Sequence, residues 1–323
     1  MVSEVEKPKK VIVISGPTAT GKTALGVEVC LRVGGEVISA DSMQIYRGLD
    51  IGTAKVTAAE TRGVPHHMVD VAEPWEDYSV SRWVDAAAEC AEDIFARGKI
   101  PVIVGGTGLY IDSLLSGRDF AGTQADGELR ARLGREYDAL GGEAFRERLR
   151  EIDPERAAIL HPADRKRLVR AMEVFLLTGE TITAHDQRTR ALPPRWESAR
   201  FALSFADRRS LYDRIDARVD EMVRRGLFEE VRALLGGGKI SPACPAMQAI
   251  GYKEAAEYLE GRVPAEEAVE SIKLASRRYA KRQLTWLRRD GALEWILWPG
   301  APDAVGGADT VLDALERGKF FKI

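Results

Sequence analysis

A short β-branched run, VIVIS at residues 11–15, leads into Gly16-Pro17-Thr18-Ala19-Thr20-Gly21-Lys22-Thr23, which matches G-x-x-x-x-G-K-[ST] without departure. A helical pattern follows from Lys22 to about Val33. This order of strand, glycine-bounded loop and helix constrains the fold more than any other feature. Loop amides converge on an anion only when a buried strand and a helix N-terminus hold both ends of the loop. A chance match in a chain of 323 residues is on the order of one in a hundred. Gly16 to Gly21 would turn backbone N–H groups around phosphate oxygens, Lys22 would add a point charge, and Thr23 can place its hydroxyl on Mg²⁺. Such a loop recognises a diphosphate and leaves open what is attached to it.

Further β-branched runs occur at EVISA (36–40), PVIVGG (101–106), FALSF (201–205) and EWILW (294–298). The early ones alternate with helical patterns at 22–33 and about 80–97, as in a parallel sheet. Between Leu115 and Leu192 strand signals stop, and helices rich in Arg, Glu, Ala and Leu are expected up to the breaker Leu192-Pro193-Pro194. The expected fold class is α/β, a P-loop NTPase-like parallel sheet core with an inserted all-helical domain. The core is placed at 1–115 and 199–323, and the insertion at 116–198.

Hydrophobic residues make up 45% of the chain and charged residues 30%, ordinary globular usage, and no apolar run approaches the roughly 18 residues of a membrane span. The opening MVSEVEKPKK lacks the apolar stretch of a secretory signal, so a cytoplasmic protein is expected, with no membrane partner and a monomer as the default. Cys30, Cys90 and Cys244 are far apart, odd in number and without C-x-x-C spacing, which points to packing rather than disulfides or zinc. His66-His67 suggests a metal, but adjacent side chains on an extended chain face opposite ways and no third ligand is suitably spaced.

Net charge is −3, yet residues 270–289 carry seven cations against Glu270 alone, with Tyr279 and Trp286 interleaved. On a helix, Arg277, Lys281 and Arg288 form one row and Arg278, Arg282 and Arg289 the next. That face suits phosphates, and a solvated helix face is the plainer alternative. Asp41 closes the second strand, at the edge where ligands bind in open α/β sheets, and turn capping is its plainer role. The turn Gly105-Gly106-Thr107-Gly108 reaches the same edge. These features fit a kinase moving the γ-phosphoryl group of ATP, or an alkyl transferase releasing an allylic diphosphate. The motifs by themselves favour the kinase.

A wider pattern reverses that preference. Ser39-Ala-Asp41-Ser42-Met-Gln44-Ile-Tyr46, Ile51-Gly-Thr-Ala-Lys55, Gly63-Val-Pro-His66-His67, Gly105-Gly-Thr107-Gly-Leu-Tyr110, Arg167-Leu-Val-Arg170, Leu211-Tyr-Asp-Arg214-Ile-Asp-Ala-Arg218, Ala246-Met-Gln248-Ala-Ile-Gly251-Tyr252 and Tyr279-Ala-Lys-Arg-Gln283-Leu-Thr-Trp286 follow one another in this order. Together they resemble the bacterial tRNA dimethylallyltransferases, also called tRNA isopentenyltransferases, from about residue 11 to 290. Val56, Met172 and Arg278 depart from the usual residues at their positions.

The resemblance implies transfer of a dimethylallyl group from dimethylallyl diphosphate to N6 of the adenosine just 3′ of a tRNA anticodon. It assigns Asp41 to the N6 amine as base, Thr107 and Arg214 to the diphosphate, and Mg²⁺ to the site through Thr23. Sequence alone also allows Arg214 to be an i,i+4 surface partner. The flipped adenosine needs a pocket reading its edge and surfaces holding the loop. Ser42, Met43 and Gln44 suit that, as do Met247, Gln248, Ile250, Gly251 and Tyr252, with Tyr252 expected to stack on a base. Arg165, Lys166, Arg167, Leu168, Val169 and Arg170 in the insertion, and Arg277, Lys281 and Arg282 beyond it, are expected to hold the anticodon stem-loop.

Overall fold

The computed structural model describes residues 9–117, 126–318 and 320. Residues 1–8, on which the reading of the leader rests, and 118–125 of the expected insertion lie outside the described residues.

Six parallel strands form one sheet in the order β3-β2-β4-β1-β5-β6. They are β1 (Lys10–Ser15), β2 (Gly35–Ala40), β3 (His66–His67), β4 (Ile100–Gly105), β5 (Glu197–Phe205) and β6 (Glu294–Trp298). All six residues of β2 are buried, as are all but the first of β1 and β4. Strands covered on both faces are rich in β-branched apolar residues, which makes β1, β4 and the Val37-Ile38 centre of β2 legible in the sequence. β5 begins four residues before the FALSF run because its polar start, ESAR, pairs with β1 from Lys10↔Glu197 onward. β3 is too short for any periodicity. Its histidines do diverge: His66 Nδ1 lies 2.9 Å from the Val64 carbonyl, and His67 Nε2 lies 2.7 Å from Glu36 Oε2.

The first helices are α1 (Lys22–Val33), α2 (Ala58–Thr61), α3 (Val80–Ala96) and α4 (Gly108–Leu115). After them come α5 (Gly127–Leu140), α6 (Gly142–Ile152), α7 (Pro154–Ile159), α8 (Arg165–Thr178) and α9 (Ile182–Arg190). The chain continues through α10 (Arg208–Arg224), α11 (Leu227–Gly236), α12 (Tyr252–Leu259), α13 (Ala265–Leu287) and α14 (Ala304–Arg317). Ile12, Ile14, Leu25, Phe201, Leu203, Trp298 and Val311 build the main core, bringing α1 and α14 onto the sheet.

Two compact units emerge, residues 1–114 with 196–323, and 115–195. The second has its own core of Leu133, Phe145, Leu149, Leu168 and Met172, and its described elements are helices. The sheet unit takes in Trp196, three residues before the expected return at 199, because that side chain is buried and its indole donates to Glu92. No described helix is long and apolar enough to cross a membrane. All three cysteines are free, and burial pushes the Cys30 thiol up to about 12.

Candidate functional site

Register brings the site together. Gly105 at the end of β4 pairs with Ser15 of β1 on one side and with Ala40 of β2 on the other. The next residues along the three strands are therefore the phosphate loop, the Gly106-Thr107 turn and Asp41, side by side at strand spacings of about 4.8 Å. Gly105 must stay glycine, since a Cβ there would lie 2.2 Å from the Ala40 carbonyl oxygen.

The Gly16–Thr23 loop is a tight turn tied by its own hydrogen bonds. Ala19 and Gly21 adopt left-handed backbone at φ 66° and 82°, the alternation that makes successive N–H groups converge. Thr20 is fully buried, with its hydroxyl donating to Pro17 O at 2.8 Å and its carbonyl accepting the Trp298 indole at 2.9 Å. Trp298, at the end of β6, thus supports the loop. Lys22 Nζ donates to Pro17 O at 2.6 Å. Burial first, then the positive charge of Arg218, pull the Lys22 ammonium from 10.5 down to about 7, against the opposing pull of Asp41.

Asp41 Oδ1 accepts the Met43 amide at 2.9 Å and the Gln44 amide at 3.4 Å. The carboxylate therefore does cap its turn, as the plainer reading allowed, and still presents Oδ2 without a hydrogen-bond partner among the described residues. Thr107 Oγ1 accepts the Ser42 amide at 3.1 Å, and the Thr107 amide donates to Ala40 O at 3.1 Å, tying the β4 turn to the Asp41 turn. Gln44 is committed at both ends of its amide. Its Oε1 accepts from Ser39 Oγ at 3.2 Å, and its Nε2 donates to the carbonyls of Thr53 and Ala54 at 3.3 and 3.4 Å. Ser42 and Met43 are half-buried beside it.

On α10, Arg214 Nε donates to the Ala19 carbonyl at 3.3 Å, so it reaches the phosphate loop rather than pairing along its own helix. One turn later, Arg218 Nη2 approaches the Thr53 carbonyl at 3.4 Å. Sequence reasoning passed over Arg218, although the i,i+4 spacing from Arg214 was visible.

Helix α13 has two faces with separate tasks. Tyr279, Gln283 and Trp286, at i, i+4 and i+7, point inward. Tyr279 lies beside Thr107 and Gln283, and burial, then the nearby Asp41 carboxylate, pushes its phenol up to about 12. Gln283 Oε1 accepts the Thr18 amide at 3.1 Å and its Nε2 donates to Gly106 O at 3.0 Å. The Thr18 amide is thereby taken, a correction to the expectation that it faces phosphate. The Trp286 indole donates to Asp112 at 2.9 Å and lies so close to Gly108 that a Cβ there would come within 2.2 Å of it. On the outer face Arg278, Lys281, Arg282, Arg288 and Arg289 are exposed and form no ion pair among the described residues. Arg277 departs from its expected row, because Asp216 binds it at 2.5 Å.

Other expectations need correction for burial or pairing. Tyr252 is fully buried and its hydroxyl donates to Glu230 at 2.5 Å, so it cannot stack on a base. Met247 is fully buried and Gly251 is buried at a φ of 97°, leaving half-buried Ile250 and exposed Gln248 at that surface. The Gln248 amide donates to Pro242 O at 2.7 Å. In the helical unit Leu168 and Val169 are core residues. Arg165 pairs with Asp138, Arg167 with Asp164, and Arg170 with the buried Glu173, whereas Lys166 is exposed without an ion pair among the described residues. Glu230 was also missed: its carboxylate accepts the amides of Asp50, Ile51 and Gly52 at 2.8 to 3.2 Å. Nothing in the local pattern at Glu229-Glu230 distinguishes it from a surface carboxylate.

Among the described residues no group of three His, Cys, Asp or Glu side chains is arranged to hold a metal. Thr23, at the start of α1, has an exposed side chain. A single exposed hydroxyl fits Mg²⁺ held largely by substrate phosphates and water rather than a protein cage.

The IPP transferase profile matches residues 44–290, and the isopentenyl transferase profile matches residues 9–71. The tRNA dimethylallyltransferase of Geobacillus thermodenitrificans is 47% identical over 288 residues, 89% of this chain and 90% of the relative. That of Pelotomaculum thermopropionicum is 46% identical over 295 residues, 91% of this chain and 93% of the relative. The crystal structure of the tRNA isopentenylpyrophosphate transferase of Bacillus halodurans superposes with a TM-score of 0.71 at 40% identity, covering 97% of this chain and 99% of that one. A eukaryotic dimethylallyltransferase crystallised acting on tRNA gives 0.81 at 28% identity, covering 97% of this chain and 79% of its own. With its phosphate loop, Asp41 turn and Thr107 turn on three adjacent strands and its sequence matched over nearly its whole length, the chain belongs to the IPP transferase family, the tRNA dimethylallyltransferases.

Proposed function

We propose that this chain transfers a dimethylallyl group from dimethylallyl diphosphate to N6 of the adenosine 3′-adjacent to the anticodon of tRNA, releasing diphosphate. The observation that carries the reading is the level alignment of Ser15, Gly105 and Ala40, which sets an anion-binding loop beside a carboxylate with one free oxygen. A kinase reading needs the same loop but gives no account of the match to these relatives over residues 44–290.

The first-turn amides of α1 have no partner within the helix and would meet diphosphate oxygens, with Lys22 and Arg214 adding charge. The C1–O bond of the donor breaks and the N6–C1 bond forms, while the N6 proton passes to Asp41. Diphosphate leaves with the bonding electron pair, so charge grows where the loop is positive. An aromatic exocyclic amine is a weak nucleophile, and its alignment with C1 matters as much as proton removal. Thr107, fixed by the Ser42 amide and the Ala40 carbonyl, would position the diphosphate. Thr23 would hold Mg²⁺, which when bound neutralises charge on the departing diphosphate.

The core is read as P-loop NTPase-like and the helical unit as a tRNA-binding insertion, with the protein acting in the cytoplasm. Lys281 and Arg282, with Arg278, Arg288 and Arg289, would contact the anticodon stem-loop through phosphates, as would Lys166 of the helical unit. Ser42, Met43, Gln248 and Ile250 are the remaining candidates for contact with the loop bases.

The test supplies total tRNA with radiolabelled dimethylallyl diphosphate or, separately, γ-labelled ATP. Label should enter tRNA only from the first. Labelled phosphate appearing on an acceptor, with no transfer from the allylic donor, would overturn the reading.

A further inference from the structure

Trp75 is 44% exposed, whereas Trp83, Trp196 and Trp298 are buried. What sets it apart is how firmly it is held. Residues 73–76 close a tight turn in which the Glu76 amide donates to Glu73 O at 2.9 Å and the Glu73 amide to Glu76 Oε1 at 3.0 Å. Pro74, at the second position, is buried and fixes its own φ, and Trp75 stands at the tip. The turn is pinned from behind. The Tyr46 hydroxyl donates to Glu76 O at 3.3 Å. The Asp70 and Val71 amides donate to Gln44 O and Ile45 O at 3.1 and 2.8 Å, and the Arg47 amide donates to Ala72 O at 2.9 Å. Lys239 covers part of the ring, with Nζ 5.0 Å from its centroid, and forms no ion pair among the described residues.

The position says what the ring could meet. Residues 44–47 continue the Asp41 turn, so the Trp75 turn is built onto the segment that carries Ser42 and Met43. Lys239 opens the loop that runs to Gln248, whose amide holds that loop at Pro242 O. Trp75 and Lys239 therefore join the two segments that keep candidates for contact with loop bases. Charge says which part of an RNA fits there. Glu73 is paired with Arg47 and Glu76 with Arg82, which leaves Lys239 against exposed Asp77. A patch of no net charge gains little from a phosphate, whereas a flat ring beside a cation suits the face of an unpaired base.

We infer that Trp75, with Lys239, is a stacking platform for an unpaired base of the anticodon loop next to the adenosine that reacts. The inference rests on the tRNA reading above. The pinned turn places the ring before the RNA arrives, so little ordering is left to do on binding. Stacking accepts any base. The platform therefore sets the register of the loop over the Asp41 turn rather than its sequence, and Trp75 touches no reacting atom.

The experiment uses the full-length parent, Trp75→Ala and Trp75→Tyr. It measures binding of an anticodon stem-loop RNA, of the same stem as a blunt duplex without the loop, and of inorganic pyrophosphate with Mg²⁺, together with the melting temperature. Trp75→Ala should weaken stem-loop binding by about tenfold, with the same salt slope as the parent, because no phosphate contact is lost. Its duplex binding, pyrophosphate binding and melting temperature should match the parent's. Trp75→Tyr should recover much of the stem-loop affinity, since it restores an aromatic face. Parental stem-loop affinity in Trp75→Ala would overturn the inference. An equal loss on the duplex would overturn it too, by assigning the side chain to the RNA backbone. So would a loss that follows a lowered melting temperature and is not recovered by Trp75→Tyr, which would make the ring a prop for its turn. A parent that binds pyrophosphate but no stem-loop would reject the tRNA reading itself.

Discussion

Gln283 Oε1 accepts the backbone amide of Thr18 at 3.1 Å, so a side chain of α13 completes the phosphate loop from a distance of 265 residues in sequence. Its Nε2 simultaneously holds the Gly106 carbonyl at 3.0 Å, and the side chain is 7% exposed. Gln283→Leu keeps the volume and strands both groups, which should cost about 1–3 kcal/mol for each left without a partner. The expected result is a melting temperature lower by several degrees and weakened pyrophosphate binding. Gln283→Glu keeps the acceptor for Thr18 but turns a carboxylate oxygen toward Gly106 O, and should lose binding as well. Unchanged pyrophosphate affinity in both variants would contradict a role for α13 in shaping the loop.

Tyr252 tests a correction. Because it is fully buried with its hydroxyl on Glu230, Tyr252→Phe should leave tRNA affinity near normal and cost about 1 kcal/mol of stability. Glu230→Ala strands three loop amides and that hydroxyl, and should cost several times more. Thermal melts and tRNA binding of the two variants check this. A large loss of tRNA affinity in Tyr252→Phe without loss of stability would restore the stacking role.

The pH dependence of Lys22 has a fixed sign. Its folded value, about 7, lies below its ordinary 10.5, so the ammonium costs stability in full below pH 7 and the cost fades as pH rises toward 10.5. Lys22→Met should therefore gain most stability over the parent near pH 6 and lose that advantage by pH 10. An arriving diphosphate favours the ammonium, so binding at pH 8 should take up a proton through Lys22. Calorimetry in two buffers of different ionisation enthalpy reads this, and proton uptake equal in Lys22→Met would contradict it.

Salt should weaken tRNA binding steeply although the protein is acidic overall. If four to six phosphates are neutralised, log K should fall with log salt at a slope of roughly −3 to −5. Replacing exposed Lys281, Arg282 and Arg289 by Gln should flatten the slope by about 2 to 3. Arg277→Gln should change it little, because Asp216 already neutralises that charge. Equal effects of the two replacements would contradict the division of α13 into an inner and an outer face.

The strands flanking the site were legible because β1, β2 and β4 are buried and carry β-branched pairs and runs, VIVI in β1, VI in β2 and VIV in β4. The loop was legible because Gly16 and Gly21, both at positive φ, bracket it at a fixed spacing just before Lys22 and Thr23. What stayed hidden were side chains whose meaning depends on distant partners. Burial separated the roles of Tyr252 and Met247 from that of exposed Gln248 within one short block. Pairing separated Arg277 from Lys281 four residues later on the same helix. No local pattern marks Glu230 or Arg218, since each is defined by the loop at residues 50–54 that folds against it.

The proposed role of Asp41, with one oxygen held by the Met43 amide and the other free, is to take the N6 proton beside the phosphate loop. The most direct measurement is single-turnover dimethylallyl transfer by Asp41→Asn, alongside its binding of tRNA and dimethylallyl diphosphate. The variant keeps the side-chain shape and a carbonyl oxygen for the turn but lacks the base. Both affinities should stay near those of the parent while transfer slows by roughly 10² to 10⁴. Diphosphate affinity weakening in step with rate, with Mg²⁺ restoring both, would contradict the claim and assign Asp41 to the metal.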